Sequence, residues 1–228
     1  MADPGVRGRP RASGERGAAQ GNRVAGGRFR HARGVPEREV PQLDVPSAVD
    51  EVIRTRRTSL LVDPDDPVPE ELLALLVELA TWAPNHKRTW PWRFTVLTDG
   101  ARHRFGEALA AVAPSLGIPA EKVAKLRTKY ARSPAVVLVW THVAADPVRA
   151  REDRDAVAAA VQNLLLAATS FGLASYWASV PEVLVDAVRR FARVDDDHDL
   201  VALVYLGWPS GTASVPQRPE PEVTWLDA

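Results

Sequence analysis

The chain contains no cysteine. Thiol catalysis, thiolate metal sites, iron–sulfur clusters and disulfides are therefore excluded. Histidine is sparse: five residues without paired spacing and no HExxH, which argues against a zinc enzyme. No apolar run approaches the roughly 20 residues that cross a bilayer. The N-terminus lacks the apolar core of a signal peptide. The expectation is a cytoplasmic protein without membrane contact. There is no GxGxxG after a strand, no GxxxxGK(S/T) and no GxSxG, so the usual dinucleotide, P-loop and nucleophile-elbow signatures are missing.

What is present is 228 residues, 46% hydrophobic, with formal net charge zero. That length points to one domain whose core needs no disulfide or metal. The zero charge hides an asymmetry. Residues 1–40 hold nine of the 29 basic residues, all Arg, and four of the 29 acidic ones, leaving 20 and 25 for the remainder. Residues 1–42 are rich in Gly, Arg, Pro and Ala and read as a disordered tail, because they offer too little apolar surface to offset ordering entropy. Residues 43–228 read as the folded domain. Arg–Gly segments sometimes bind RNA, but the spacing here is irregular, Phe29 is the sole aromatic, and the body is mildly acidic; nucleic acid is not the expected partner. A tail created by a mis-assigned start is an alternative.

Ser47 caps a first helix in which Asp50 is placed to bond back and Val49, Val52 and Ile53 form the apolar stripe. Its end runs into Arg54, Arg56 and Arg57, which suit the negative end of a helix dipole without any ligand. Pro69 opens a second helix to about Trp82, apolar nearly all round and so destined for the interior or a subunit interface. Trp92, Phe94 and Val96 alternate with Arg93 and Thr95 as a strand, and Asp99-Gly100 is a turn. Helical patterns follow at 101–112 and 119–130. Ala135 to Trp140 is a continuous apolar strand, the mark of a sheet centre. Residues 149–171 form the longest helix, stopped by Gly172; Gln162 and Asn163 are either satisfied core or interface polars, or ligand contacts. Leu173–Val180 and Leu200–Leu206 are strands, with a helix from Pro181 to Phe191 between them. The Asp-rich run at 195–199 is a solvated turn, since adjacent acids diverge and no Gly gives the tight loop calcium wants; no metal site is expected. A proline-rich tail ends in an apolar Val223-Thr224-Trp225-Leu226 that should dock on its own subunit or on a partner. Helices come first, then strands separated by helices, which allows α/β or α+β.

The segment from Trp82 to Phe94 carries the chemistry. Asn85, His86, Lys87 and Arg88 stand in a row, walled by Trp82, Trp90 and Trp92. Cations and an imidazole between flat aromatic surfaces suit a planar anionic ligand. An ordinary helix-to-strand loop whose tryptophans cap a core, or an aromatic loop that docks a protein, are the alternatives.

The pieces together resemble the nitroreductase family of FMN flavoproteins over residues 47–226. The resemblance rests on Arg56-Arg57-Thr58 for the family's Arg-Arg-Ser, Ala83-Pro84 before the polar loop, and Trp90-Pro91-Trp92-Arg93-Phe94 opening the strand. It continues with Phe171-Gly172 before a strand containing Trp177, and Tyr205-Leu206-Gly207-Trp208-Pro209 at the end. His86-Lys87 is similar to a short bacterial NAD(P)H nitroreductase subgroup with Ala-Pro-Asp-His-Lys at this place. The resemblance implies an α+β nitroreductase-like fold, a mainly antiparallel central sheet flanked by helices, in a homodimer with FMN at the interface. It implies FMN contacts from Arg56, Arg57, Thr58, Trp82, His86, Trp177, Ala178 and Ser179, with Lys87 near the ring's N1–C2=O edge. The implied activity is hydride transfer from NAD(P)H through flavin to an electron-poor small-molecule acceptor, a nitroaromatic or quinone, with no side chain needed as catalytic acid or base. Three positions depart from the family. Leu60 and Leu61 stand where a further Arg is common, Trp90 replaces a Gln and borders the substrate space, and Ala178 replaces an Arg. These departures motivate a second reading, a flavin-binding carrier or regulator without turnover.

Overall fold

The computed structural model describes residues 47–226. The Arg/Gly-rich tail and its expected disorder lie outside the described residues, as does the start of the folded domain at residue 43.

Helix α1 (Ala48–Thr55) begins where the capping signal stands: the Ser47 side chain accepts the Asp50 N–H at 3.1 Å. The reciprocal bond from Asp50 is not made. Its carboxylate instead accepts from Arg54 Nε at 2.6 Å, one turn along the helix. No residue of α1 is buried; Val49 and Ile53 stay exposed, so the expected stripe has no cover in this subunit. The helix stops before Arg56, which places Arg56 and Arg57 beyond the last turn. Helix α2 (Glu70–Ala80) is capped by Pro69 rather than started by it, and ends two residues short of Trp82. It buries Leu73, Leu76 and Ala80 but leaves Leu75 exposed, so only one of its apolar faces is used.

The sheet contains β1 (Trp92–Thr98), β2 (Ala135–His142), β3 (Ala174–Ala178) and β4 (His198–Gly207) in the order β1-β2-β4-β3, antiparallel throughout. Strand β2 explains its own composition. Ala135, Val137 and Val139 face one core with α2 and α5 (Pro147–Ser170). Val136, Leu138 and Trp140 face the other, with α3 (Asp99–Val112), α4 (Ala120–Lys129) and α6 (Val185–Ala192). A strand covered on both faces reads as unbroken apolar sequence. Asp99-Gly100, expected as a turn, opens α3 instead; Asp99 makes the reversal with φ 44°. The helix expected from Pro181 is split into a 3-10 turn (Glu182–Leu184) and α6.

Helix α5 positions the site. The Asp146 side chain accepts the Val148 N–H at 3.2 Å, Pro147 fills the first turn, and Gly172 takes φ 80° to end it. Its 24 residues run about 36 Å. Where α3 crosses α4, a Cβ on Gly106 would meet the Arg127 carbonyl oxygen at 2.5 Å and that of Leu126 at 2.8 Å. Gly106→Ala is therefore expected to destabilise the fold by about 1–3 kcal/mol through overpacking, read as a lowered urea midpoint; an unchanged midpoint would mean that the two helices separate freely.

After β4 the chain runs without regular structure. Its apolar end is not docked within the subunit: Trp225 is 77% exposed and Leu226 91%. Among the described residues no helix is long and apolar enough to cross a membrane.

Candidate functional site

Arg56, Arg57 and Thr58 leave α1 in extended backbone and run beside β3. Thr58 forms a parallel bridge with Ser175, and the Ser59 N–H donates to the Ser175 carbonyl at 2.9 Å. The segment thus extends the β3 edge at Ser175, with Arg57 toward Leu173 and Ala174; Trp177, Ala178 and Ser179 lie further along the strand, outside the Arg57 cleft, and Trp177 and Ser179 are exposed. An open cleft of about 300 Å³ lies here, lined by Arg57, Ser59, Thr169, Gly172 and Leu173 among others.

This region is cationic and short of acceptors. Arg57 Nη1 donates to the carbonyls of Arg54 (2.5 Å) and Arg56 (2.8 Å), so part of its guanidinium caps the end of α1 as the dipole reading expected. Its Nε is buried without a partner, as is Ser175 Oγ. Burial first, then the charges of Arg218 and Arg57, hold the Arg56 guanidinium below its usual value. None of these three arginines forms a salt bridge with a carboxylate among the described residues. Three guanidinium groups with no paired carboxylate leave a local excess of positive charge, and their planar forks could hold a phosphate-like anion.

The second group sits on the loop between α2 and β1. Trp82 is exposed and donates Nε1–H to Glu78 Oε1 at 2.5 Å. His86 Nδ1 lies 2.9 Å from Glu152 Oε2 on α5. Lys87, Arg88 and Trp90 all take left-handed backbone, with φ 59°, 56° and 48°. Residues with side chains carry a cost of about 1–2 kcal/mol each in that region. A side-chain network holds the shape: the Trp90 N–H donates to Asn85 Oδ1 (2.8 Å), Asn85 Nδ2 donates to Thr89 Oγ1 (3.0 Å), and Thr89 Oγ1 donates to Asp153. The exposed Trp90 ring packs against Trp92 with centroids 5.7 Å apart. An open cleft of about 530 Å³ here is lined by Pro84, Asn85, His86, Glu152, Asp155 and Ala159, among others.

Within the chain the two groups are separate. The first cleft reaches Thr169 and the second Ala159, and that stretch of α5 spans roughly 15 Å at 1.5 Å per residue. Gln162, between them on α5, is exposed rather than a buried core polar, and Asn163 is half-buried. Thr89, Glu152, Asp153 and Arg218 were not singled out from the sequence. Asp153 had a signal: it precedes Ala156, Val157, Ala160 and Val161 at helical spacing, on the buried face. Arg218 had none, because the tail has no periodicity. The acid-rich turn behaves as a surface feature, with Asp197 paired to His198 at 2.6 Å; among the described residues no cluster of His, Asp or Glu is arranged to hold a metal.

Comparison with known proteins agrees with this architecture. The chain is 28% identical over 183 residues to the "Putative NAD(P)H nitroreductase YfhC" of Bacillus subtilis (strain 168), covering 79% of this chain and 94% of that protein. The fold matches the nitroreductase-like family protein from Bacillus cereus with TM-score 0.66 at 22% identity, over 78% of this chain and 95% of that one. It also matches the FMN-dependent nitroreductase NfnB from Mycobacterium smegmatis, solved in complex with NADPH, with TM-score 0.61 at 22% identity, over 75% and 94% of the two chains. The family model for nitroreductases matches residues 53–208, and this chain belongs to the Nitroreductase family.

Proposed function

We propose that this protein is an FMN-dependent NAD(P)H oxidoreductase that reduces an electron-poor acceptor of the nitroaromatic or quinone class, and that it works as a homodimer with FMN at the subunit interface. The observation that carries the reading is the acid-free arginine group beside β3. The residues present fit FMN. Its phosphate gives the guanidinium groups of Arg56 and Arg57 the anionic partner they lack, and its hydroxyl-rich ribityl chain suits the exposed Thr58 hydroxyl. Trp177, Ala178 and Ser179 follow on the same edge and are assigned to the ring.

The homodimer reading is supported by two features. The cleft beside His86 and the cleft beside Arg57 lie roughly 15 Å apart along α5, so a second copy that brings its loop to the first copy's arginines completes one site. The apolar surfaces left uncovered on α1, on α2, at Phe171 and in the tail at Trp225 and Leu226 are the faces such a copy would cover.

When bound, FMN supplies the hydride transfer between the reduced nicotinamide and the acceptor. The protein contributes position, charge and dryness. Arg56 and Arg57 anchor the phosphate end. Lys87, an exposed cation on a fixed backbone, stabilises negative charge on the reduced ring. Trp82 and Trp90 offer flat apolar walls that exclude water and favour planar acceptors over branched ones. No side chain is required as a general acid or base.

The purified protein is expected to be yellow, with FMN released on denaturation, and to oxidise NADH or NADPH only when a quinone or nitro compound is added. A colourless protein that takes up no added FMN and gains no thermal stability from it would end this reading.

A further inference from the structure

We propose that Asp153 is a positioning residue: acting through Thr89 and Asn85, its buried carboxylate holds the loop at 85–90 in the shape that presents Lys87 to the bound ligand. The inference rests on the FMN reading above for the ligand's identity, but the anchor itself stands on the chain's own geometry.

Asp153 is 1% exposed, on the face of α5 that carries Ala156 and Val157 into the core. A carboxylate is rarely so buried without a reason. Its partner is the hydroxyl of Thr89, which donates to Oδ1. That hydroxyl has one hydrogen, given to Asp153, so toward Asn85 it acts as acceptor, and Asn85 Nδ2 donates to it at 3.0 Å. The carbonyl of the same amide then accepts the Trp90 N–H at 2.8 Å. A longer contact of 3.4 Å also joins the Thr89 hydroxyl to Asn85 Oδ1, so the amide and the hydroxyl meet at two atoms between the helix and the backbone of Trp90.

The loop needs such a hold. Lys87, Arg88 and Trp90 are all in left-handed backbone, and no glycine relieves them. The other tie to α5, His86 to Glu152, is a partly exposed pair and a weak restraint. The bond to Asp153, half-buried and ending on a buried carboxylate, is the better shielded of the two. What the strained shape accomplishes is display: Lys87, Arg88 and Trp90 are all exposed. Backbone strain kept at a site of exposed charge is the pattern of a pre-organised binding loop.

The test uses the full-length chain with Thr89→Val, Thr89→Ser, Asp153→Ala and Asp153→Asn, and reads two quantities. The first is the rate of tryptic cleavage after Lys87 and Arg88, followed by mass, against cleavage after Lys125 on α4 as a control for global unfolding. Thr89→Val and Asp153→Ala are expected to raise the loop rate about tenfold with the control rate unchanged, and Thr89→Ser to match the parent. The second is the flavin midpoint potential of FMN-loaded protein. The same two variants are expected to keep the parent's FMN content while the potential moves negative, the direction in which Lys87→Ala moves it. Unchanged loop cleavage in Thr89→Val overturns the anchor. Faster cleavage with an unchanged potential overturns the positioning role. A parent protein that takes up no FMN overturns the proposed function instead, and the cleavage rates still decide the anchor. If Asp153→Ala does not fold, Thr89→Val, which removes only the hydroxyl, carries the test.

Discussion

Replacing Arg56 and Arg57 together with alanine is expected to weaken FMN binding by roughly two to four orders of magnitude. A hydrogen bond to a charged group contributes about 1.5–3 kcal/mol, and each arginine is assigned at least one to the phosphate. Two such losses come to about 3–6 kcal/mol, and every 1.4 kcal/mol is tenfold. The two positions differ. Arg57 also donates to the carbonyls that end α1, so Arg57→Ala costs some local stability as well as affinity. Arg56 makes no such bond, so Arg56→Ala reads the ligand contribution more cleanly. Lysine at either place keeps the charge and loses the planar fork, and is expected to fall between arginine and alanine. Titration of apoprotein with FMN, followed by quenching of flavin fluorescence, gives the affinity. The parent's binding should weaken with salt, and the double variant's much less. Parent-like affinity in the double variant would move the phosphate to another part of the protein.

Trp140→Ala is expected to be the most destabilising single truncation, about 3–5 kcal/mol. The side chain is fully buried at the middle of the sheet, in the core formed with α3, α4 and α6. Its Nε1–H donates to Thr95 Oγ1 at 3.3 Å, so truncation leaves both a large void and a hydroxyl that has lost its donor. Against the about 5–15 kcal/mol of a typical domain, that is a large fraction of the total stability. Urea unfolding followed by far-ultraviolet circular dichroism measures it, with the midpoint falling and the slope retained. Val96→Ala on the edge strand, where Val96 is partly exposed, should cost far less. Equal losses at the two positions would contradict the assignment of β2 to the sheet centre.

Much of this architecture was legible in local patterns because the causes are local. Ser47 and Gly172 mark helix ends through side-chain capping and positive φ, which depend on a few neighbouring residues. The apolar run at Ala135–Trp140 announces burial on both faces, and both faces are buried. The Asp99-Gly100 pair suits a turn and a helix start alike, because the two share residue preferences, and α3 begins there. The uncovered stripe of α1 was equally invisible: amphipathicity says that a face seeks cover but not from where.

The candidate site divides along the same line. Two arginines after a short helix and a tryptophan-walled polar loop are sequence features, since their charge and aromatic surface belong to the residues themselves. Their surroundings come from contacts between distant segments. Thr58 meets Ser175, and Thr89 meets Asp153, through strand pairing and helix packing that no window of neighbours contains. Composition and periodicity thus narrowed the fold class to α/β or α+β and marked which side chains are chemically interesting, while the family motifs pointed to α+β. Folding in three dimensions assigned their partners, buried one carboxylate under the loop, and set the two groups apart along α5, because distances between remote residues are fixed by packing and not by order along the chain.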